Sequence, residues 1–285
     1  MPDDVIEDDL PDPDDPFVGL DDEDELSPER TRDLLLTRAK RGYMPLRKVF
    51  VQKPNTETSR SSVLADLVHN KQERALDAFQ LLHAMQPILN GTPLPMSTWA
   101  SMLSTPRSTC TPNQASRAFG TLAEMNLVRR DRAGRQAVLE PLLEDGSGAP
   151  WIRPGATEEG GPGYFTVPHA YWTAGLMERL RLPGKAMMLI ILAETQNPKK
   201  PTFDMAVERA QAWYGISERT AERGYLQLSA EKVMRVHIQK VADPRVPGGR
   251  RAIYHRALES PFSTRSRARL QKAARTAMET STPGG

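Results

Sequence analysis

The stretch "YGISERTAERGYLQLSAEKVMRV", Tyr214 to Val236, decides how the rest of the chain is read. Tyr214 and Gly215 read as a helix end and a turn. Ser217 stands where its side-chain oxygen can accept from an orphan amide of the next helix. Ile216, Ala221, Tyr225 and Leu228 fall at helical spacings on one side, while Arg219, Arg223 and Gln227 recur every four residues on another. The first set predicts a packed face, the second a cationic and polar one. The small Ala221 is expected to let the preceding helix cross closely. The plainer alternative, that Arg219 and Arg223 form only the solvated face of a packed helix, stays open.

A shift of 106 positions lays an earlier stretch, "TPNQASRAFGTLAEMNLV", over this one. Thr111 falls on Ser217, Ala115 on Ala221, Arg117 on Arg223, Phe119 on Tyr225, Leu122 on Leu228, Leu127 on Val233, Val128 on Met234 and Arg129 on Arg235. Cap, small contact, aromatic, leucine and strand entry all coincide, which predicts a tandem repeat. Each copy sits in a similar setting. The earlier one follows "NKQERALDAFQLLHAMQPIL", a helical pattern limited by Pro87, and "STWASML", read as a helix capped by Ser97. It precedes "NLVRRDRAGRQAVLEPL", two short strands about an Asp131 to Gly134 turn. The later one follows helical "GKAMMLIILAETQ" and "FDMAVERAQAWYG" and precedes "KVMRVHIQKV" and "RAIYHRAL".

The predicted fold class is therefore mainly α with small β hairpins, in two units of three helices plus a hairpin. The organisation reads as an acidic disordered tail over 1–26, a short helix and linker over 27–62, a first unit over 63–144, a Gly/Pro-rich linker over 145–163, a second unit over 164–259, and a basic C-terminal helix and tail over 260–285. Ser27, Pro28 and Gly42 supply the start and stop signals of the short helix. The last segment sets Arg265, Arg267, Arg269, Lys272 and Arg275 on a helix that reads either as a DNA-backbone arm or as a solvated terminal helix.

The net charge of +2 hides an asymmetry. Residues 1–26 hold thirteen acidic and no basic side chains, so residues 27–285 carry 38 basic against 23 acidic groups, an excess of 15. Such a body suits a polyanionic partner, because Lys and Arg that neutralise phosphates release condensed counterions. The tail is expected either to fold back transiently on the basic surface as a competitor of phosphate or to act as a solubilising segment. Cys110 is alone and cannot form an internal disulfide, which fits a reducing cytoplasm. His69, His83, His169, His237 and His255 lack ligand spacing. "LPGKAM" lacks the preceding glycine and following hydroxyl residue of a phosphate-binding loop, and there is no GxSxG elbow. No enzyme, cofactor or metal is expected, and no segment predicts a membrane span.

Helix, turn, capped third helix and two-stranded hairpin together resemble the winged helix-turn-helix family of DNA-binding domains, over about residues 70–144 and 164–258. The resemblance implies that each third helix enters a major groove while the wing touches backbone or minor groove. It casts Asn113, Gln114, Arg117 and Thr121 as readers of the first unit and Arg219, Thr220, Arg223 and Gln227 as those of the second. The wings become Arg130, Arg132 and Arg135 in one and Lys240, Arg245, Arg250 and Arg251 in the other, holding phosphates without reading sequence. The expected role is a bacterial, cytoplasmic and nucleoid-associated transcriptional regulator of double-stranded DNA. The alternatives are a plasmid or phage replication initiator bound to origin repeats, favoured by the looser likeness of "YFTVPHAYW" and "RLPGKAMMLIIL" to such initiators, and a protein-interaction module that binds no DNA. With two reading heads in one chain, a homodimer is allowed but not required.

Overall fold

The structure, a computed structural model, describes residues 25–39, 41–54, 61–89, 93–134, 136–155 and 163–281. Residues 1–24 of the acidic tail and Arg135 of the first hairpin lie outside the described residues.

Among the described residues the chain is mainly helical, with three two-stranded antiparallel sheets. Helix α1 (Pro28–Arg38) begins where Ser27 caps it, the Ser27 side chain accepting from Arg30 N. Strand β1 (Tyr43–Arg47) follows. Then come α2 (Val63–His69), α3 (Glu73–Ala84), α4 (Gln86–Leu89), α5 (Met96–Leu103), α6 (Pro112–Glu124) and the hairpin β2 (Val128–Ala133) and β3 (Gln136–Pro141). The second half runs β4 (Tyr164–Pro168), α7 (Ala170–Thr173), α8 (Leu176–Arg179), α9 (Leu182–Glu194), α10 (Ala210–Tyr214), α11 (Glu218–Ala230), the hairpin β5 (Met234–Ala242) and β6 (Arg250–Leu258), and α12 (Thr264–Ser281).

Several segments differ from their sequence reading. The stretch 27–62 is no mere helix and linker, because β1 pairs antiparallel with β4, Tyr43 opposite Pro168 and Arg47 opposite Tyr164. All five β1 residues are buried. A five-residue strand containing Pro45 shows no usable alternation, and proline is tolerated because a two-stranded sheet consists only of edges. The described start of the linker is likewise tied down: Arg47 Nη2 donates to Ile152 O at 2.6 Å, while Arg47 Nη1 meets the buried Glu144, just before the linker, at 2.8 Å. Ser97 is not a cap, since α5 starts at Met96 behind Pro95.

The two halves share one continuous hydrophobic cluster that runs from Leu36 and Leu46 through Leu76, Phe79 and Phe119 to Met187, Ile190 and Leu228. Its centre is α9, which is buried on nearly all sides from Leu182 to Ala193. That is the outcome expected of a helix apolar all round but too short to span a bilayer. Among the described residues no helix is long and apolar enough to cross a membrane.

Buried charges fasten the halves together. Lys185 of α9 lies 2.8 and 2.6 Å from the two carboxylate oxygens of Asp77 on α3 and 2.9 Å from Glu73 Oε1. Arg32 of α1 donates to Met102 O and Ser104 O, both at 2.9 Å, and pairs with Glu178. Arg267, expected on an exposed arm, is fully buried and donates to Phe262 O, Leu192 O and Thr195 O at 2.8 to 2.9 Å. A guanidinium buried among carbonyl oxygens anchors α12 to the end of α9 and is not available to a phosphate.

Candidate nucleic-acid interface

The two stretches matched in the sequence fold alike to the residue. Helices α6 and α11 are both thirteen residues long, and the 106-residue shift carries each limit of the first onto the second and the start of β2 onto the start of β5. Thr111 accepts from Gln114 N at 3.3 Å, and Ser217 from Thr220 N at 3.2 Å. Both helices end on a left-handed residue, Asn126 at φ 55° and Lys232 at φ 56°. Behind each, the next amide reaches back to close the helix, Leu127 N to Leu122 O at 2.9 Å and Val233 N to Leu228 O at 3.1 Å. Such six-residue closures satisfy carbonyls that the helix leaves without partners, so the turn into the hairpin has the same physical origin twice.

The inward faces also correspond: Ala115, Ala118, Phe119 and Leu122 are buried in α6, and Ala221, Gly224, Tyr225 and Leu228 in α11. Ala221, expected to permit the close crossing of the preceding helix, is fully buried, and Gly224 one turn on also lies against α9. A Cβ there would stand 2.3 Å from Met187 Cγ and 2.5 Å from Pro183 O of α9.

The outward face of α11 carries Arg219 and Arg223, both exposed. Leu226 falls beside them in angle, about 20° from Arg219 and about 60° from Arg223 at about 100° per residue, and is 65% exposed, a feature the sequence reading passed over. Its exposure is legible in the spacing, since it lies opposite Ala221, Tyr225 and Leu228. Gln227 is not a free reader: its Oε1 accepts from Arg181 N at 3.0 Å, which turns it toward the start of α9. Thr220 is half-buried, its hydroxyl 2.9 Å from Ser217 Oγ.

On α6, Asn113 and Arg117 are exposed, and Thr121 is half-buried. Gln114 closes a capping box, its Oε1 accepting from Thr111 N at 3.0 Å, so its amide serves the helix start. The position that matches Leu226 is Gly120, with nothing within 4 Å of a Cβ placed there.

The hairpins divide their cations in the same way. Arg132, Lys240 and Arg250 are exposed. Arg130 is exposed as well and leans onto α6, donating to Ser116 O at 3.2 Å and Ser116 Oγ at 2.8 Å. Arg245 and Arg251 share Asp243, their Nε atoms 3.1 and 3.4 Å from its carboxylate oxygens. The bonds from Arg245 hold the Asp243 carboxyl below its ordinary value and staple the turn, while both arginine side chains stay largely exposed. Below it, Arg256 stacks over Tyr225 with its Cζ 3.8 Å from the ring centroid, and burial pushes the Tyr225 hydroxyl up to about 12.

Both helices flank one connection, Arg179–Leu182. From the α11 side, Gln227 holds Arg181 N and Glu231 pairs with Arg179 Nε at 2.6 Å. From the α6 side, Arg107, in the turn between α5 and α6, donates to Arg179 O at 3.0 Å and Leu180 O at 3.2 Å. The structure thus brings α6 and α11 to a common junction that the sequence does not announce. Among the described residues no group of His, Cys, Asp and Glu side chains could hold a metal ion. Comparison of the chain with protein-family models, with curated proteins and with solved structures finds no match in any of the three.

Proposed function

We propose that the chain is a sequence-specific double-stranded DNA-binding protein built of two winged-helix units, acting as a transcriptional regulator. The observation that carries this reading is the repeat itself: two helices of equal length, each capped by a hydroxyl side chain, closed in the same way and followed at the same position by a hairpin, each turning exposed polar or cationic side chains outward. In this reading α6 and α11 enter major grooves, Asn113, Arg117, Arg219 and Arg223 address base edges and phosphates, and Leu226 offers apolar surface to a thymine methyl group. Arg132, Lys240 and Arg250 hold the backbone. Bound protein then acts by occupancy, blocking or recruiting other factors at the site.

Filter binding to random-sequence duplex across a salt series tests the reading. Binding at low salt with log K falling linearly against log salt is expected. Absence of binding at low salt, or binding indifferent to salt, would sink it. The joining of the two units through Lys185, Asp77 and Glu73 favours a second reading, in which the paired heads serve repeated sites at a replication origin. Genome-wide mapping of bound sites separates the two, since promoter sites favour the regulator and clustered repeats beside an origin the initiator. If no DNA is bound, the exposed Val236, Ile238 and Tyr254 of the longer hairpin favour a protein-interaction module.

A further inference from the structure

A cleft of about 360 Å³ opens at the junction of the two units. Its rim carries Lys71, Arg74, Arg107 and Arg181; its floor carries Glu73, Asp77 and Lys185. The two carboxylates are turned inward. Asp77 accepts twice from Lys185, and Glu73 meets Lys185 through Oε1 while its Oε2 accepts from Leu182 N at 3.1 Å. The rim cations meet only neutral oxygens: Arg74 donates to Ser108 Oγ at 3.0 Å and Arg107 to the carbonyls of Arg179 and Leu180. Such bonds aim a guanidinium without cancelling its charge. Five cations against two carboxylates leave the cleft with an excess of three positive charges. Among the described residues, none of the four rim cations pairs with a carboxylate.

The position of the cleft gives this charge a use. One wall is the Thr105–Ser108 turn, closed by mutual backbone bonds at 3.0 Å, which leads into α6. The other is the Arg179–Leu182 connection, held by Gln227 of α11 and by Glu231, which follows that helix. We infer that the cleft is a phosphate site that grips the DNA backbone between the two half-sites, Lys71 and Arg181 supplying free charge and Arg74 and Arg107 pre-aimed donors. The inference rests on the DNA-binding reading and adds to it a third contact, one that is made only when both heads share a duplex. Because the buried Lys185 cluster fixes the cleft relative to both helices, the site would also fix the spacing of the half-sites.

The test uses the full chain and duplexes selected from a random library, first with both half-sites and then with one. The Lys71→Ala, Arg181→Ala double variant removes two exposed side chains, and an unchanged unfolding midpoint verifies its fold. On the two-half-site duplex its log K against log salt slope is expected to fall by about 0.9, one phosphate contact, with affinity unchanged on single half-sites. A Lys71→Arg, Arg181→Lys variant should keep the native slope. A neutral methylphosphonate linkage between the half-sites should reproduce the loss in the native protein and add nothing in the double variant. Equal losses on single half-sites would overturn the inference in favour of a general basic surface. Inorganic pyrophosphate titrated calorimetrically, bound by the native protein but not the variant while the neutral linkage is without effect, would reassign the cleft to a free anion. A native chain that binds no duplex at all removes both this inference and the reading beneath it, and is recognised at the first step.

Discussion

The two helix-and-hairpin units share their frame and differ in what they expose. Caps, left-handed closures and buried faces coincide position for position between α6 and α11. The outward faces do not, for where α11 presents Leu226, α6 has Gly120 and open space. The inward face also differs in residue size: Ala118 of α6 corresponds to Gly224 of α11, where an added Cβ would stand 2.5 Å from the backbone oxygen of Pro183 on α9. The lesson is that local hydrogen bonding dictates where such a helix starts and stops, while the chemistry it presents is set free of that frame.

The comparison is broken most severely where the units join. Lys185→Met should cost about 3–5 kcal/mol in urea unfolding, because Asp77 and Glu73 lose their countercharge inside the fold. A Lys185→Met, Asp77→Asn double variant should recover part of that loss, and its failure to do so would deny the pair its bridging role. Next in size is Gly224→Ala, whose methyl would meet Pro183 O at 2.5 Å. We expect a destabilisation of about 1–3 kcal/mol, the usual cost of overpacking, read in the same assay.

On the DNA-binding reading, the outward faces can be contrasted by their salt dependence. Arg219→Ala with Arg223→Ala should reduce the salt slope by roughly 1.8, and Arg117→Ala by roughly 0.9, each lost phosphate contact weighing equally. Equal slopes for all variants would show that neither helix touches DNA.

Each unit also buries a histidine, and both should respond to acid. Burial lowers His169 from 6.5 to about 4 and also lowers His83. An unfolded histidine takes its proton near 6.5, so the stability these neutral rings contribute is present above that pH and lost as pH falls toward 4. Asp77 works in the opposite sense: burial raises it from 3.8 to about 6, so its contribution is present below 3.8 and lost as pH rises through 6. Stability of His169→Gln relative to the native chain should therefore improve between pH 6.5 and pH 4, and no change across that window would contradict a neutral buried ring. The smallest effect belongs to Gly120→Ala. With no atom within 4 Å of the new methyl and a helical backbone, it should stabilise the fold by about 0.5–1 kcal/mol, opposite in sign to Gly224→Ala.

The frame of both units was legible because its signals are local. Thr111 with Pro112, Ser217, and the leucines and aromatics at helical spacing lie within a few residues of the atoms they serve. The exposed Arg117, Arg219 and Arg223 were legible for the same reason. Gln227, Arg245 and Arg251 were not, because their partners Arg181 N and Asp243 depend on how a neighbouring helix or turn is placed. Arg267 misled more strongly, since a basic residue in a basic run gives no sign that three carbonyls await it.

By itself, then, the sequence determined a mainly helical chain with a repeated helix-and-hairpin unit and an acidic start before a basic body, because periodicity, caps and charge act over one or two turns of chain. Tertiary structure alone decided that β1 pairs with β4, that Lys185 joins the halves, and which cations remain exposed at the junction. Those outcomes turn on contacts between residues as far apart as Asp77 and Lys185, whose stabilisation exists only once burial has removed water from between them.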